Sequence, residues 1–136
     1  MDALCLECTF VIYPQPFGIQ AEYNWGRGPE YDPQTNTIKD APLDGGYILA
    51  NYMVKTNSKV FIPFARYHYY SGGKKFEIDA TRHRVKELEL GVEWQFNKNF
   101  ELVTMYTISD RTFESSANRD NKQKGSLLRL QAQVNF

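Results

Sequence analysis

Hydrophobic and polar residues alternate along most of this chain. In the final segment Leu128, Leu130, Ala132, Val134 and Phe136 fall on one side, and Arg129, Gln131, Gln133 and Asn135 on the other. A strand sends successive side chains to opposite faces, so a period of two sustained over this length predicts a half-buried β-strand. Leu88, Leu90, Val92, Trp94 and Phe96 oppose Glu87, Glu89, Gly91, Glu93 and Gln95 in the same way. So do Phe17, Ile19, Ala21, Tyr23 and Trp25 against Gly18, Gln20, Glu22 and Asn24. Three noisier segments repeat the theme. Ile48, Ala50, Tyr52 and Val54 share a face that excludes Leu49 and Met53. Phe61, Pro63, Ala65, Tyr67 and Tyr69 oppose Ile62, Phe64, Arg66 and His68. Phe100, Leu102, Thr104, Tyr106 and Ile108 oppose Glu101, Val103, Met105 and Thr107. The predicted strands therefore lie near 17–25, 46–54, 60–70, 86–96, 100–108 and 125–136 of a single domain. The opening segment 1–13 supplies a seventh through Leu4, Leu6, Cys8, Phe10 and Ile12. Helical spacing competes nowhere over a full helix length.

The connections alternate in length. Pro14-Gln15-Pro16, Lys55-Thr56-Asn57-Ser58 and Asn97-Lys98-Asn99 are short turns, and three long polar segments near 26–45, 71–84 and 109–124 lie between them. Short turns on one rim and long loops on the other are the habit of outer-membrane β-barrels, whereas soluble sandwiches show no such regularity. Strands of roughly 9 to 11 residues are also what a tilted crossing of a bilayer needs. The pattern predicts an all-β fold, the antiparallel up-and-down strands of a transmembrane barrel. It also orients the strands. Phe17, Phe61, Phe96, Phe100 and Phe136 gather at the short-turn, periplasmic rim, and Trp25, Tyr67, Tyr69 and Tyr106 towards the long-loop, extracellular rim. Two aromatic bands of this kind flank the lipid-facing zone of membrane barrels.

Composition agrees with this picture and excludes others. Of 136 residues 15% are aromatic, with 9 Tyr and 9 Phe, as strands and membrane girdles favour. The formal net charge is zero, which argues against a nucleic-acid binder even where basic and aromatic residues interleave in Phe64-Ala-Arg-Tyr-His-Tyr-Tyr70. No apolar run reaches the length of a membrane-spanning helix, a test that strands escape. Cys5 and Cys8 form a lone Cys-x-x-Cys without a second ligand pair, and His68 and His83 are remote, so no metal site is expected. No cofactor is expected either. No nucleophile–base–acid set suggests an enzyme, and the glutamates that share a strand face read as wetting groups rather than glycosidase carboxylates. Gly26-Arg27-Gly28, followed by Pro29, reads as a turn, and Gly73-Lys74 lacks the earlier glycine of a phosphate loop. Met1-Asp2-Ala3 opens no signal peptide, so an outer-membrane location carries the expectation that the chain is a fragment. With about seven strands, or six without the opening segment, the chain is not expected to close into a pore alone.

The terminal Phe136, with Leu128, Leu130 and Val134 at alternate positions before it, resembles the sorting signature of bacterial outer-membrane barrels. The resemblance implies that the barrel-assembly machinery reads this strand. Tyr13-Pro-Gln-Pro-Phe-Gly-Ile-Gln-Ala-Glu-Tyr23, Ile62-Pro-Phe-Ala-Arg-Tyr67, Gly72-Gly-Lys-Lys-Phe-Glu77 and Leu88-Glu-Leu-Gly-Val-Glu-Trp94 resemble the C-terminal part of the phosphate-selective porin O and P family. The likeness runs from about Tyr13 onward. It implies part of a 16-stranded type of barrel in the Gram-negative outer membrane, in contact with lipid, and leaves a homotrimer open for the full-length parent. Members that select phosphate do so with basic residues lining the lumen.

The face opposite the apolar one would line that lumen, with Glu22, Arg66, His68, Glu87, Glu89, Glu93 and Arg129 as the candidate pore-lining residues. Glu101 adds a fifth carboxylate against two guanidiniums, which is no obvious anion filter, so phosphate selectivity does not follow from these residues. Lys74, Lys75, Arg82 and Arg84, in the long segment after two glycines, are candidates for attracting anions to the pore mouth. A solvated loop touching lipopolysaccharide phosphates is the plainer reading of the same four. The expected function is passive diffusion of small hydrophilic or anionic solutes through a water-filled barrel. The alternative is a soluble β-rich ligand-binding domain with an aromatic core.

Overall fold

The computed structural model describes residues 5–73, 81–114 and 120–136. Within them lie β1 (Cys5–Ile12), β2 (Phe17–Asp32), β3 (Thr37–Tyr52), β4 (Val54–Thr56), β5 (Lys59–Gly72), β6 (His83–Asn97), β7 (Phe100–Phe113) and β8 (Asn121–Val134). The strands form one open antiparallel sheet in the order β1-β2-β3-β5-β6-β7-β8, with β4 beside β5.

Backbone register turns the alternation of each strand into two continuous faces. One hydrogen-bonded row runs Ile12, Ile19, Ala50, Ala65, Leu90, Tyr106, Leu128. Rows to either side add Phe10, Ala21, Ile48, Tyr67, Leu88 and Ile108, and Val92 and Leu130. Nothing among the described residues packs on this apolar face. Among the described residues Ala41 is the sole buried hydrophobic, whereas Leu90, Tyr106, Ile108, Leu128 and Leu130 are all exposed. An apolar patch this wide is foreign to a monomer in water and marks a surface that another medium covers. The aromatic core of the alternative soluble domain is absent for the same reason. Tyr23, Trp25, Tyr67, Trp94 and Tyr106 stand on the exposed face instead of meeting a second layer.

β3 and β4 are one strand with a gap. Asn51 pairs with Phe64 and Val54 with Phe61 in unbroken register, which sets Tyr52 and Met53 opposite Pro63 and Ile62. Proline brings no N–H to a ladder, and the pairing fails where Pro63 stands. The Met53 amide donates to the Pro16 carbonyl at 2.7 Å, so the interrupted strand stays tied to its other side.

The strands run farther than the alternation indicates, at the expense of the expected long loops. The segment near 26–45 is mostly strand, since β2 continues to Asp32 and β3 begins at Thr37. Gly26-Arg27-Gly28 lies within β2 and is not a turn. Pairing to β1 stops at Gly26 and pairing to β5 stops at Asp44, leaving a two-stranded ribbon beyond. Among the described residues each ribbon strand has one unpaired edge, which is where Pro29 and Pro42 are tolerated. One side of the ribbon, at Gly28, Glu30 and Ala41, is covered, but neither side is an apolar row, so no hydrophobic alternation marks it. An Arg27–Asp40 pair at 2.8 Å crosses the ribbon. Asn36 takes the left-handed conformation at the tip, at φ 53°. The Gln34 amide donates to the Asp32 carboxylate at 3.0 Å and holds its carboxyl below the usual range, with Lys39 helping at 3.2 Å. Similarly, the segment near 109–124 yields to β7 as far as Phe113 and to β8 from Asn121, and the segment near 71–84 gives up Ser71, Gly72, His83 and Arg84 to strands.

An apolar face without a protein partner predicts different tolerance on the two sides of β8. Leu130→Arg or Val134→Arg sets a charge on the lipid side, at a cost of roughly 2 to 4 kcal/mol near the bilayer midplane and less near its surface. Gln131→Arg sets the same charge on the opposite face. Heat-modifiable electrophoretic mobility of the membrane-inserted protein should be lost in the first two variants and kept in the third. Equal tolerance at all three positions would defeat the assignment of faces.

Candidate functional site

The second face is polar, and its side chains are organised. Along β6 the residues from His83 to Leu90 alternate between partly covered and exposed, the covered ones being His83, Val85, Glu87 and Glu89. The sheet therefore curls towards its polar face. One row on that face runs Glu22, Tyr47, His68, Glu87, Ser109. The next runs Gln20, Leu49, Arg66, Glu89, Thr107. Glu93 lies opposite Ile62 and Val103, and Arg129 opposite Met105. All seven residues expected to line a pore thus occupy one face of one sheet.

Their partners decide the charge of that face. Glu87 accepts from Arg111 at 2.7 Å and from Ser109 at 2.9 Å, while the His68 ring stands 3.9 Å away. Glu89 meets Arg66 at 3.5 Å, and that guanidinium lies over the Tyr47 ring at 4.8 Å. A planar guanidinium can pair and stack at once, which an ammonium cannot do. Glu22 and Glu93 differ. Their hydrogen bonds come from neutral amides two residues along, Asn24 at 2.8 Å and Gln95 at 2.7 Å. Glu87 and Glu89 are therefore largely compensated, and Glu22 and Glu93 keep their full charge.

Gly91 separates Glu89 from Glu93 on this face. A Cβ there would overlap the Phe64 ring and the Thr104 carbonyl, so the glycine is what lets Phe64 lie flat against β6 between the two carboxylates. The polar face is consequently not uniform. It has an aromatic step at Phe64 and a charged cluster above it.

Arg111 is the residue that the alternation missed. The alternation leaves it in a long polar segment, but β7 carries the odd-numbered face of Val103, Met105, Thr107 and Ser109 straight on to Arg111. The extended period of two was visible in Thr107, Ser109 and Arg111. The absence of apolar residues opposite Ser109 and Arg111, where Asp110 and Thr112 stand, concealed it.

The remaining candidates are scattered. Arg82 donates to the Ser71 hydroxyl at 3.5 Å, and Arg84 is a strand residue in register with Ser71 and Thr112, on the side that carries the apolar rows. Both border a cleft of about 330 Å³ that Lys39 shares with Glu30, Glu114 and Asp120, a mixture of signs rather than a basic funnel. Lys74 and Lys75 lie outside the described residues. Leu128, Leu130 and Val134 stand exposed on the apolar face, and Phe136 follows β8, fully exposed. Among the described residues no group of His, Cys, Asp and Glu could hold a metal ion.

A double-mutant cycle tests the compensation. Arg111→Gln, Glu87→Gln and the double variant should show a coupling of about 0.5 to 1 kcal/mol in urea unfolding from micelles, reduced by salt because Arg111 is largely exposed. Zero coupling at low salt would mean that Glu87 carries an uncompensated charge.

Comparison with known proteins gives one match. A family model described as phosphate-selective porin O and P matches residues 6–136. No curated protein and no solved structure matches the chain.

Proposed function

The chain belongs to the phosphate-selective porin O and P family, an outer-membrane porin family, and from that membership we propose that its sheet is part of the wall of a water-filled diffusion channel for small hydrophilic solutes. The observation that carries this reading is the division of one sheet into two uninterrupted faces. The apolar rows Ile12–Leu128 and Phe10–Ile108 meet hydrocarbon. The rows of Glu22, His68 and Glu87 and of Arg66 and Glu89 meet water. Lipid demands that every backbone group be paired within the protein, and a closed antiparallel sheet is the strand-based way to achieve it.

Nothing on the polar face performs covalent chemistry. Its charges act on a passing ion through their field, over a distance set by ionic strength. Guanidiniums that are already paired offer little to an anion. Arg66 is held by Glu89 and Tyr47, and Arg111 by Glu87. Among the described residues of these rows the acids without a cation partner are Glu7, Glu22, Glu93 and Glu101, and the base without an acid partner is Arg129, which faces Met105. This stretch of wall is proposed to bias conduction mildly towards cations, with phosphate preference left to charges elsewhere in the channel.

Pairing makes the test specific. In planar bilayers, with the sheet carried in a closed channel, Glu22→Gln with Glu93→Gln should move the reversal potential towards anion preference. Glu87→Gln with Glu89→Gln should move it in the same direction, since each variant pair raises the net charge of the face by two, and it leaves Arg111 and Arg66 without their acids. No shift in either pair would place the polar face outside the conduction path.

A further inference from the structure

The rows directly above the apolar zone change character on the lipid-facing side of β6, β7 and β8. Leu88, Ile108 and Ser126 form the uppermost row with apolar members there. The next row up is Lys86, Asp110, Lys124, and the one after it Arg84, Thr112, Lys122. These two rows hold four cations and one acid, and Asp110 is taken up by Lys124 at 3.7 Å. Arg84, Lys86 and Lys122 make no ion pair among the described residues, and all three are exposed. The row above them contains Glu114 and Asp120, each of which has a partner already; with Glu30 these two acids share the mixed cleft that Arg84 and Thr112 border, so Lys86 and Lys122 are the cations that stand clear of it.

We propose that Arg84, Lys86 and Lys122, with the Thr112 hydroxyl between them, bind the phosphorylated headgroup of an outer-leaflet glycolipid. The proposal rests on the porin reading, which places the apolar rows in hydrocarbon and the hairpin ends at the extracellular side. Spacing selects the ligand. Strands lie about 4.8 Å apart, so β6 and β8 hold their cations roughly 10 Å from each other. One phosphate cannot touch both sets, but a headgroup with phosphates at its two ends can. The basic rows also border the hydrocarbon face without a break, so a bound phosphate stays attached to acyl chains that lie against Leu88, Ile108 and Leu128. Further along the same face, Tyr69, in register with Lys86, walls an apolar groove of about 450 Å³ with Tyr23, Tyr67 and Phe10. Gly46 forms the floor of that groove. A Cβ there would overlap the Glu22 carbonyl, so the backbone keeps the hollow open for a chain.

The test uses membrane-inserted protein in phosphatidylcholine vesicles doped with lipid A, followed by detergent extraction and mass spectrometry of retained lipid. Wild type should retain diphosphorylated lipid A and lose its dephosphorylated form. Each cation contributes about a fivefold factor in affinity, so Arg84→Gln, Lys86→Gln and Lys122→Gln together should lower retention about a hundredfold. Arg84→Lys with Lys86→Arg and Lys122→Arg should restore most of it. Heat-modifiable mobility and conductance, read on the same samples, should stay at wild-type values in the triple Gln variant. Retention unchanged by neutralisation, or equal for the dephosphorylated lipid, would overturn the proposal with the porin reading intact. Displacement by millimolar inorganic phosphate would also overturn it, because the site would then take a free anion. A closed channel carrying the wild-type sheet that fails to insert would overturn both readings together.

Discussion

A backbone amide that faces hydrocarbon has no water to turn to. Each N–H and C=O must be met by a neighbouring strand, and the whole sheet follows from that demand. It explains why strands of 14 to 16 residues succeed one another as simple hairpins. It also explains where the ladder is allowed to fail. Pro29 and Pro42 lie in the ribbon beyond the reach of β1 and β5. The ladder break opposite Pro63 spans only Tyr52 and Met53 and leaves the Met53 amide bonded on its other side.

With the backbone satisfied, side chains have separate tasks on the two faces. Those on the apolar face supply area to the bilayer and make few demands on one another beyond aromatic contacts such as Phe61 with Trp94, at 5.1 Å between ring centres. Those on the polar face are close-set acids and bases. Two like charges on adjacent strands would repel strongly in a partly covered setting, and the sheet avoids this by setting a basic side chain next to each of two acids. His68 stands beside Glu87 and Arg66 beside Glu89, with Arg111 across from them. Specificity in such a wall comes from what remains after neighbours have cancelled.

Much of this was legible in the residues, for a physical reason. Where one face meets lipid and the other water, a period of two is enforced, and so the faces of Phe17–Trp25, Leu88–Phe96 and Leu128–Val134 could be assigned before any register was known. The family resemblance drew on Tyr13–Tyr23, Ile62–Tyr67, Gly72–Glu77 and Leu88–Trp94, and agrees with the family match. Legibility stops where neither face is an apolar row. Arg27, Pro29, Asp40 and Pro42 pair across a ribbon whose polar sequence looks like loop, and Arg111 was lost in the same way. The gap between β3 and β4 was hidden for another reason. A proline on one strand interrupts its neighbour, and that neighbour is known only from the register. Arg84 shows the limit on charge. Its side of the sheet depends on the phase of β6, which the expected loop left undefined.

Register carries one more piece of geometry. The row that starts at Ile12, the last residue of β1, arrives six strand spacings later at Leu128, six residues short of the end of β8 at Val134. At about 3.3 Å per residue and 4.8 Å per spacing, that climb corresponds to strands inclined by roughly 35° to the normal of the rim. Residues in the same row therefore lie at different depths. Glu22 and Glu87 share a row, yet three spacings of climb lift Glu87 about 8 Å above Glu22 at this incline. An ion travelling along the wall would meet its charges in sequence, like treads on a spiral stair, and never as a ring at one level.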